Sequence, residues 1–332
     1  MPPILASIRS SRRELARLLT QVENGTAREA LSALYPYTGN AHLIGVTGAP
    51  GTGKSSLVAA MALAYRKRGL TVGILAVDPT SPFTGGAVLG DRIRMRELSG
   101  DQGVFIRSMA TRGSLGGLAR ATGDMIRVLD AGGFDVVLVE TVGAGQSEID
   151  IAKTAHTTLV VEAPGLGDDV QAIKAGILEI ADILVVNKAD HDGVENTVRA
   201  LRAMLDLGHR TERVLHHGQL MVVPDVVVTE DKAWQTPIVQ TVATTHTGIE
   251  AVLDKIAEHR TYLRESRALE AREKTRIEVE IIERLRDLLI DRIVNAVGPT
   301  QISEVFASVL RREIDPLSAA QQLFDTIKSS SW

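Results

Sequence analysis

The chain has 332 residues, of which 44% are apolar, and this content can bury a full core in one large or two ordinary domains. A net charge of −4 argues against the broad basic surface of a nucleic-acid-binding protein. The chain has no cysteine, which excludes disulfides, thiolate metal sites and cysteine nucleophiles and suits a reducing cytoplasm. Its longest apolar stretches are much shorter than the roughly 18 residues of a membrane span. We therefore expect a globular cytoplasmic protein that binds neither nucleic acid nor a membrane.

The first 40 residues have the pattern of helices. In the segment MPPILASIRSSRRELARLL, Leu15, Leu18 and Leu19 recur at helical spacing, and Glu14 precedes them. The arginine and serine content of this segment is also found in organelle transit peptides, but an acidic residue within an amphipathic pattern favours an ordinary helix. We predict an N-terminal helical extension over residues 1–40.

From His42 onward, short runs rich in β-branched residues alternate with helical patterns. The runs are HLIGVT, TVGILAVD, GVFIRSM, FDVVLVE, TTLVVEA, DILVVNK and PIVQTVA. Strands as uniformly apolar as these are covered on both faces, which is typical of a mainly parallel sheet flanked by helices. Residues 41–262 are therefore predicted to form an α/β domain, with a nucleotide site at the carboxyl ends of its strands.

A phosphate-binding loop follows the first of these runs. The stretch GAPGTGKSS, residues 48–56, matches GxxxxGK[ST] in full and precedes an amphipathic helix. Glycines let backbone N–H groups face the phosphates, and the helix N-terminus adds partial positive charge. Lys54 is expected to reach the β- and γ-phosphates, and the Ser55 hydroxyl to bind Mg²⁺. The predicted nucleotide-binding residues here are Gly48, Pro50, Gly51, Thr52, Gly53, Lys54, Ser55 and Ser56.

The base is predicted from a second motif. Asn187, Lys188 and Asp190 form the pattern NKxD at the end of another apolar run. The Asp190 carboxylate can accept hydrogen bonds from both N1–H and the exocyclic amine of guanine. Adenine has no such pair of donors and would leave a buried charge unpaired. The three residues are therefore assigned to the base, and the predicted nucleotide is GTP.

Acidic residues end two further runs. Asp78 ends TVGILAVD, and Glu140 begins the stretch ETVG, whose last residue is Gly143. This stretch takes the place of the DxxG of GTPases, so Glu140 is a candidate for Mg²⁺ binding and catalysis, and Gly143 can donate its N–H to the γ-phosphate. Gln146 is the candidate for orienting the attacking water. For Asp78, a helix N-cap or a salt bridge is an alternative to a metal site.

The last part of the chain, residues 263–332, is predicted to form a C-terminal helical arm. Ile277, Ile281, Leu285 and Leu288 make a narrow apolar stripe within a highly charged segment. Such a helix projects from its domain, packs on a partner subunit, or lies solvated on its own domain.

Five stretches together resemble the MeaB/ArgK family, the GTPase chaperones of cobalamin-dependent acyl-CoA mutases that include the human methylmalonic aciduria type A protein. They are GAPGTGKSS, DPTSPFTGGAVLGDRIRM, VETVGAGQSEID, PGLGDDVQAIKAG and VVNKAD. The resemblance spans nearly the whole chain and implies a P-loop NTPase fold with N- and C-terminal helical extensions. It also implies a family-specific switch at APGLGDDVQAIK, including Gln171 and Lys174, for which an exposed helix start is the alternative. The Mg²⁺ ligands that it implies are Ser55, Asp78, Asp91 and Glu140.

The resemblance implies a gating function. GTP binding and hydrolysis would control the transfer of adenosylcobalamin from an adenosyltransferase to the mutase, with methylmalonyl-CoA mutase as the first candidate. Ethylmalonyl-, isobutyryl- and hydroxyisobutyryl-CoA mutases are alternative clients. Intrinsic hydrolysis is then slow, Mg²⁺-dependent and stimulated by the partner, and the C-terminal helices form a homodimer.

One region departs from the family pattern. Residues 208–234 form a longer connection than expected and are predicted as an insertion with a β-hairpin. Its adjacent His216 and His217 suggest a metal site, but without further cysteine or histidine ligands they are typical of a plain loop. His246 stands in the predicted base-contacting loop, where a smaller or acidic residue is expected.

The alternative function is that of a GTP-dependent metallochaperone for nickel enzymes. Such a protein needs clustered metal ligands, and a cysteine-free chain with 8 scattered histidines shows no such cluster in its sequence.

Overall fold

The computed structural model describes residues 1–79, 98, 100–111, 117–141, 151–152, 154–165, 178–208 and 234–329. The chain divides into two compact units, Met1–Arg272 and Glu273–Trp332. The predicted division into residues 1–40, 41–262 and 263–332 stays a prediction, and residues 209–233 of the predicted insertion lie outside the described residues.

The first unit is built on a parallel sheet. Its strands are β1 (His42–Thr47), β2 (Val72–Pro79), β3 (Val104–Thr111), β4 (Val136–Thr141), β5 (Thr157–Glu162), β6 (Ile183–Val186) and β7 (Ile238–Gln240). The order in the sheet is β3-β2-β4-β1-β5-β6-β7, and every pairing is parallel. Each run that was predicted as a strand forms one, which confirms the predicted α/β class.

Helices cover both faces of this sheet. They are α1 (Pro3–Ser10), α2 (Arg12–Glu23), α3 (Arg28–Leu34), α4 (Lys54–Lys67), α5 (Gly117–Ala131), α6 (Val194–Gly208), α7 (Ile249–Glu265) and the first residues of α8 (Ala268–Val297). On one face, Ile44, Val46 and Leu138 pack with residues of α4 and α7. On the other, Leu43 and Val137 pack with residues of the N-terminal helices and α5. In β5 and β6, Val160, Leu184 and Val186 enter a third core with residues of α6. Alternate residues of a strand therefore enter separate cores on the two faces, as the pleat of a strand requires.

The last strand is shorter than its run predicted. PIVQTVA spans seven letters of sequence, but β7 contains only Ile238–Gln240. Val242 instead forms an antiparallel bridge with Thr247, which turns the chain back on itself beyond the strand. The loop that results lies just after the carboxyl end of β7.

The strand register brings distant parts of the chain to one edge of the sheet, which we call the carboxyl edge. Val46 of β1 lies opposite Glu140 of β4, and Glu140 also lies opposite Ala76 of β2. The carboxyl ends of β1, β4 and β2 therefore lie side by side. This is the edge at which parallel α/β sheets bind their ligands.

A buried polar network occupies the opposite edge of the sheet. His42 Nε2 and His259 Nδ1 lie 3.1 and 3.0 Å from the Thr157 hydroxyl. Burial lowers the pKa of His42 well below its ordinary value, and the positive charge of Arg260 lowers it further. The His42 imidazole is therefore neutral at pH 7, so it can lie in the interior without a compensating negative charge.

Asp182 is an acidic member of this network. Arg272 Nη2 and Nη1 donate to its two carboxylate oxygens over 2.9 and 3.2 Å, and the Thr158 N–H donates over 2.8 Å. Burial alone would raise the pKa of Asp182, but the hydrogen bonds from His259 and Arg272 outweigh burial and lower it. The ion pair thus fixes the N-terminal part of α8 to the start of β6.

Asp182→Asn is expected to lower the free energy of unfolding by about 2 kcal/mol at neutral pH, because it removes the charge that Arg272 and His259 contact. The pKa of Asp182 is lower in the folded than in the unfolded chain, so its contribution is present above the ordinary carboxyl pKa of about 4 and is lost as the pH falls through the folded value. Urea unfolding of both proteins at about pH 7 and about pH 3 measures this. The difference should shrink at the lower pH, and an unchanged difference would contradict the assignment.

The second unit contains the rest of α8 together with α9 (Pro299–Leu310) and α10 (Pro316–Ser329). Its helices expose large apolar side chains. The predicted stripe is among them, with exposed fractions of 36% for Ile277, 59% for Ile281, and 54% for both Leu285 and Leu288. Among the residues described, no helix combines the length and apolarity needed to cross a bilayer.

Candidate nucleotide site

The predicted phosphate-binding loop connects β1 to α4 at the carboxyl edge. Gly48, Gly51 and Gly53 have φ angles of 137°, 84° and 89°, which favour glycine. A Cβ added to Gly48 would lie 2.1 Å from the Val161 carbonyl oxygen, and one added to Gly53 would lie 2.4 Å from Asn187 Nδ2. The loop therefore lies directly against the ends of β5 and β6, and side chains at these two glycines would push it away.

The first two residues of α4, Lys54 and Ser55, have polar side chains next to this loop. Lys54 is buried, and its Nζ donates to the carbonyl oxygens of Gly48 and Ala49 over 2.8 and 2.9 Å. The ammonium group is thus held by the loop at the N-terminus of α4. Ammonium, helix N-terminus and glycine-rich backbone together form a site suited to an anion such as a polyphosphate.

Ser55 and Glu140 form the second polar pair of the site. The Ser55 hydroxyl donates to Glu140 Oε1 over 2.7 Å, and both side chains are buried. A hydroxyl and a carboxylate are hard oxygen ligands of the kind that Mg²⁺ prefers, so this pair fits the predicted metal. Asp78 is the last residue but one of β2, two strands from β1, although its side chain lies outside the described part of the structure.

Asn187 joins three segments at the predicted base site. It follows β6, is 2% exposed, and donates from Nδ2 to the Thr52 carbonyl oxygen over 2.9 Å. Its Oδ1 accepts from the Thr241 hydroxyl and from the Ala243 N–H, each over 3.1 Å. One amide side chain therefore ties the phosphate-binding loop to the loop beyond β7.

The other two residues of the NKxD motif lie at the surface of the same edge. Lys188 has a left-handed backbone, with φ of 57°, and is half-buried. Asp190 is exposed in the turn that follows, where its carboxylate can meet a ligand from solvent. His246, also left-handed and exposed, lies in the loop that Asn187 holds through Ala243.

The structure thus brings Gly48, Lys54, Ser55, Glu140 and Asn187 to one edge. Five of the residues named from the sequence lie outside the described residues: Asp91, Gly143, Gln146, Gln171 and Lys174. His216 and His217 lie outside them as well. Sequence reasoning missed the contacts of Asn187 with Thr241 and Ala243, and it missed a hydroxyl pair between Thr47 and Thr141. The signal for that pair was present, since both HLIGVT and VVLVET end in threonine.

Comparison with known proteins identifies the family. A protein-family model described as methylmalonyl-CoA mutase-associated GTPase MeaB matches residues 15–298. The chain belongs to the MeaB family. This result confirms the resemblance found in the sequence and makes the chain a GTPase, as predicted.

Several relatives cover most of this MeaB-family chain. GTPase ArgK of Escherichia coli is 32% identical over 325 residues, which are 96% of this chain and 93% of ArgK. A predicted GTPase of Pyrococcus abyssi is 49% identical over 321 residues, 96% of this chain and 94% of that protein. The mouse methylmalonic aciduria type A homolog, mitochondrial, is 39% identical over 191 residues, 57% of this chain and 45% of the mouse protein.

A solved structure confirms the fold of the MeaB-family chain. The crystal structure of an LAO/AO transport system kinase superposes with a TM-score of 0.68 at 25% identity, and the match covers 98% of this chain and 96% of that protein. The predicted P-loop architecture, a parallel sheet flanked by helices with helices at both termini, is therefore confirmed.

Proposed function

We propose that this MeaB-family GTPase is a chaperone that gates the loading of adenosylcobalamin into a cobalamin-dependent acyl-CoA mutase and protects or reactivates that mutase. The observation that carries the proposal is the family match, whose description names association with methylmalonyl-CoA mutase. The mouse relative named for methylmalonic aciduria supports the same client. We place the activity in the cytoplasm, with methylmalonyl-CoA mutase as the client and an adenosyltransferase as the donor of the cofactor.

The proposed chemistry is Mg²⁺-dependent hydrolysis of GTP. Lys54, whose ammonium group lies inside the phosphate-binding loop, would neutralise charge on the β- and γ-phosphates. When bound, Mg²⁺ would supply positive charge that stabilises the negative charge developing on the phosphates. Its proposed ligands are Ser55, Asp78, Asp91 and Glu140, and the 2.7 Å contact between Ser55 and Glu140 supports two of them. Gly143 would contact the γ-phosphate, and Gln146 would orient the water.

The guanine base would be recognised by the NKxD motif. Asp190 would accept from the two guanine donors, Lys188 would lie along the base, and Asn187 would hold the motif against the phosphate-binding loop. The 2.9 Å bond from Asn187 to Thr52 supports this last role. Base recognition and phosphate binding would then be mechanically linked through one buried amide.

Hydrolysis would act as a switch between two arrangements of the loops around the nucleotide. Such a switch works by a population shift, so intrinsic turnover is slow and rises when the client favours the reactive arrangement. The segment with Gln171 and Lys174 would report the nucleotide state to the client.

We further propose that the chain forms a homodimer through its second unit. The exposed apolar side chains of α8, α9 and α10 support this role, because large exposed apolar patches mark interaction surfaces. The side chains concerned include Ile281, Ile282, Leu285, Leu288, Phe306, Leu310 and Phe324.

The test of the proposed function is GTP turnover by the purified protein, alone and with methylmalonyl-CoA mutase. Turnover is expected to rise by about 10-fold or more with the mutase. This increase corresponds to an activation free energy lower by about 1.4 kcal/mol. An acyl-CoA enzyme that does not use cobalamin serves as the control and should have no effect. If no cobalamin-dependent acyl-CoA mutase accelerates GTP turnover, the chaperone role is wrong although the GTPase activity stands.

The nickel metallochaperone receives no support from the described part of the chain. No group of three or more histidine, aspartate or glutamate side chains in those residues could hold a metal ion.

A further inference from the structure

The two strands that flank the phosphate-binding site both end in a buried threonine. Thr47 ends β1 and Thr141 ends β4, with exposed fractions of 0% and 2%. The Thr141 hydroxyl donates to the Thr47 hydroxyl over 2.9 Å. Thr47 directly precedes Gly48 of the phosphate-binding loop, and Thr141 directly follows Glu140. The hydroxyl pair therefore lies at the carboxyl ends of β1 and β4, next to the phosphate-binding loop and next to Glu140.

This pair lies on the face of the sheet opposite to the Ser55–Glu140 pair. Side chains alternate along a strand, so Thr47 and Thr141 share the face of Leu43 and Val137, which pack with the N-terminal helices. Glu140 lies on the other face and meets Ser55 of α4. A short hydrogen bond thus joins the end of β4 to the end of β1 on one face, and another joins it to the start of α4 on the other face.

The two bonds differ in what a ligand does to them. Ser55 and Glu140 are both proposed to coordinate Mg²⁺, so bound Mg²⁺ would compete with their contact to each other. The threonine pair contains no proposed ligand, so it can persist through the cycle. A net contribution of about 1 kcal/mol is typical of such a bond, but a displacement of about 1 Å at a catalytic group can cost 100-fold in rate.

We infer that Thr47 and Thr141 are positioning residues, whose hydroxyl pair holds Glu140 in register with the phosphate-binding loop. The inference rests on the role proposed above for Glu140. Neither threonine is required to touch the nucleotide for this role.

The test compares Thr141→Val with Thr141→Ser. Valine keeps the volume and removes the hydroxyl, so kcat for GTP hydrolysis should fall about 10-fold while KM for GTP changes by less than about twofold. Serine keeps the hydroxyl and should restore most of the rate. Mg²⁺ affinity of the GDP complex, followed by fluorescence of a labelled GDP, should weaken about 10-fold in the valine variant.

Thr157→Val provides the matched control. Thr157 is as deeply buried as Thr47 and is also hydrogen-bonded through its hydroxyl, but it lies at the opposite edge of the sheet. Both valine variants should melt at lower temperature than the parent, and only Thr141→Val should lose kcat. The inference is wrong if the two variants lose kcat alike, or if Thr141→Ser is as slow as Thr141→Val.

Three further variants keep the test decisive. Should Thr141→Val fail to fold, Thr47→Val removes the same bond from the other side. Where both fold, the double variant should be no slower than either single one, because the bond can be lost only once.

Glu140→Gln separates the positioning inference from the proposed role of Glu140. If this variant hydrolyses GTP normally, the proposed role of Glu140 is wrong. If Glu140→Gln is slow while Thr141→Val is normal, only the positioning inference is wrong.

Discussion

Lys54→Ala is expected to reduce GTP turnover by about 1000-fold, equivalent to about 4 kcal/mol of transition-state stabilisation. The Lys54 ammonium group is buried and lies 2.8 and 2.9 Å from two carbonyl oxygens of the phosphate-binding loop, at the N-terminus of α4. Charge that develops on the transferring phosphoryl group would meet this cation in a site with little water, where electrostatic stabilisation is strong.

The measurement is single-turnover hydrolysis with the protein in excess over GTP, which separates the chemical step from product release. Lys67→Ala is the matched control, because Lys67 is an exposed lysine at the other end of the same helix. Its turnover should equal that of the parent. Turnover by Lys54→Ala within about 10-fold of the parent would rule out the proposed role of the lysine.

The second prediction with a large expected effect concerns recognition of the guanine base. Asp190→Asn should weaken GTP binding by about 100-fold, or about 2.7 kcal/mol, because the asparagine oxygen can accept from only one of the two guanine donors and the amide N–H₂ faces the other. A single hydrogen bond to a charged group is worth about 1.5–3 kcal/mol. The variant should gain affinity for xanthosine triphosphate, since the asparagine amide can donate to the xanthine carbonyl and accept from its N1–H. ATP should bind neither protein well, because adenine presents neither arrangement.

Competition titrations with GTP, xanthosine triphosphate and ATP test this prediction. Asp192→Asn serves as the control, since Asp192 is an exposed aspartate two residues further along the same turn. It should retain the guanine preference of the parent. A parent protein that prefers ATP would overturn the assignment of the base, and an Asp190→Asn variant that keeps its GTP affinity would assign recognition to another residue.

Local sequence patterns were sufficient to predict much of the candidate site. The glycines of residues 48–53 predict a tight loop whatever surrounds them, because positive φ angles favour glycine. The apolar runs predict buried parallel strands, because only strands covered on both faces can be apolar throughout. Since parallel strands place their carboxyl ends together, the sequence also predicted that Lys54, Glu140 and Asn187 would share one edge.

The sequence could not predict the hydrogen bonds that cross that edge. Asn187 meets Thr52, which is 135 positions away, and Ser55 meets Glu140 across 85 positions. The same holds for the ion pair of Asp182 with Arg272 and for the hydroxyl pair of Thr47 with Thr141. A long-range partner depends on the order and register of the strands, and no local pattern encodes these.

By itself, then, the sequence determined the strands, the phosphate-binding loop and the guanine motif, because each depends on the conformational and hydrogen-bonding preferences of neighbouring residues. Only the tertiary structure decided which strand ends are adjacent and which buried polar groups satisfy one another. The β3-β2-β4-β1-β5-β6-β7 order sets Thr47 beside Thr141 and Asp182 beside Thr158. Buried hydroxyls and carboxylates need partners with the right geometry, and those partners exist only once the sheet has assembled.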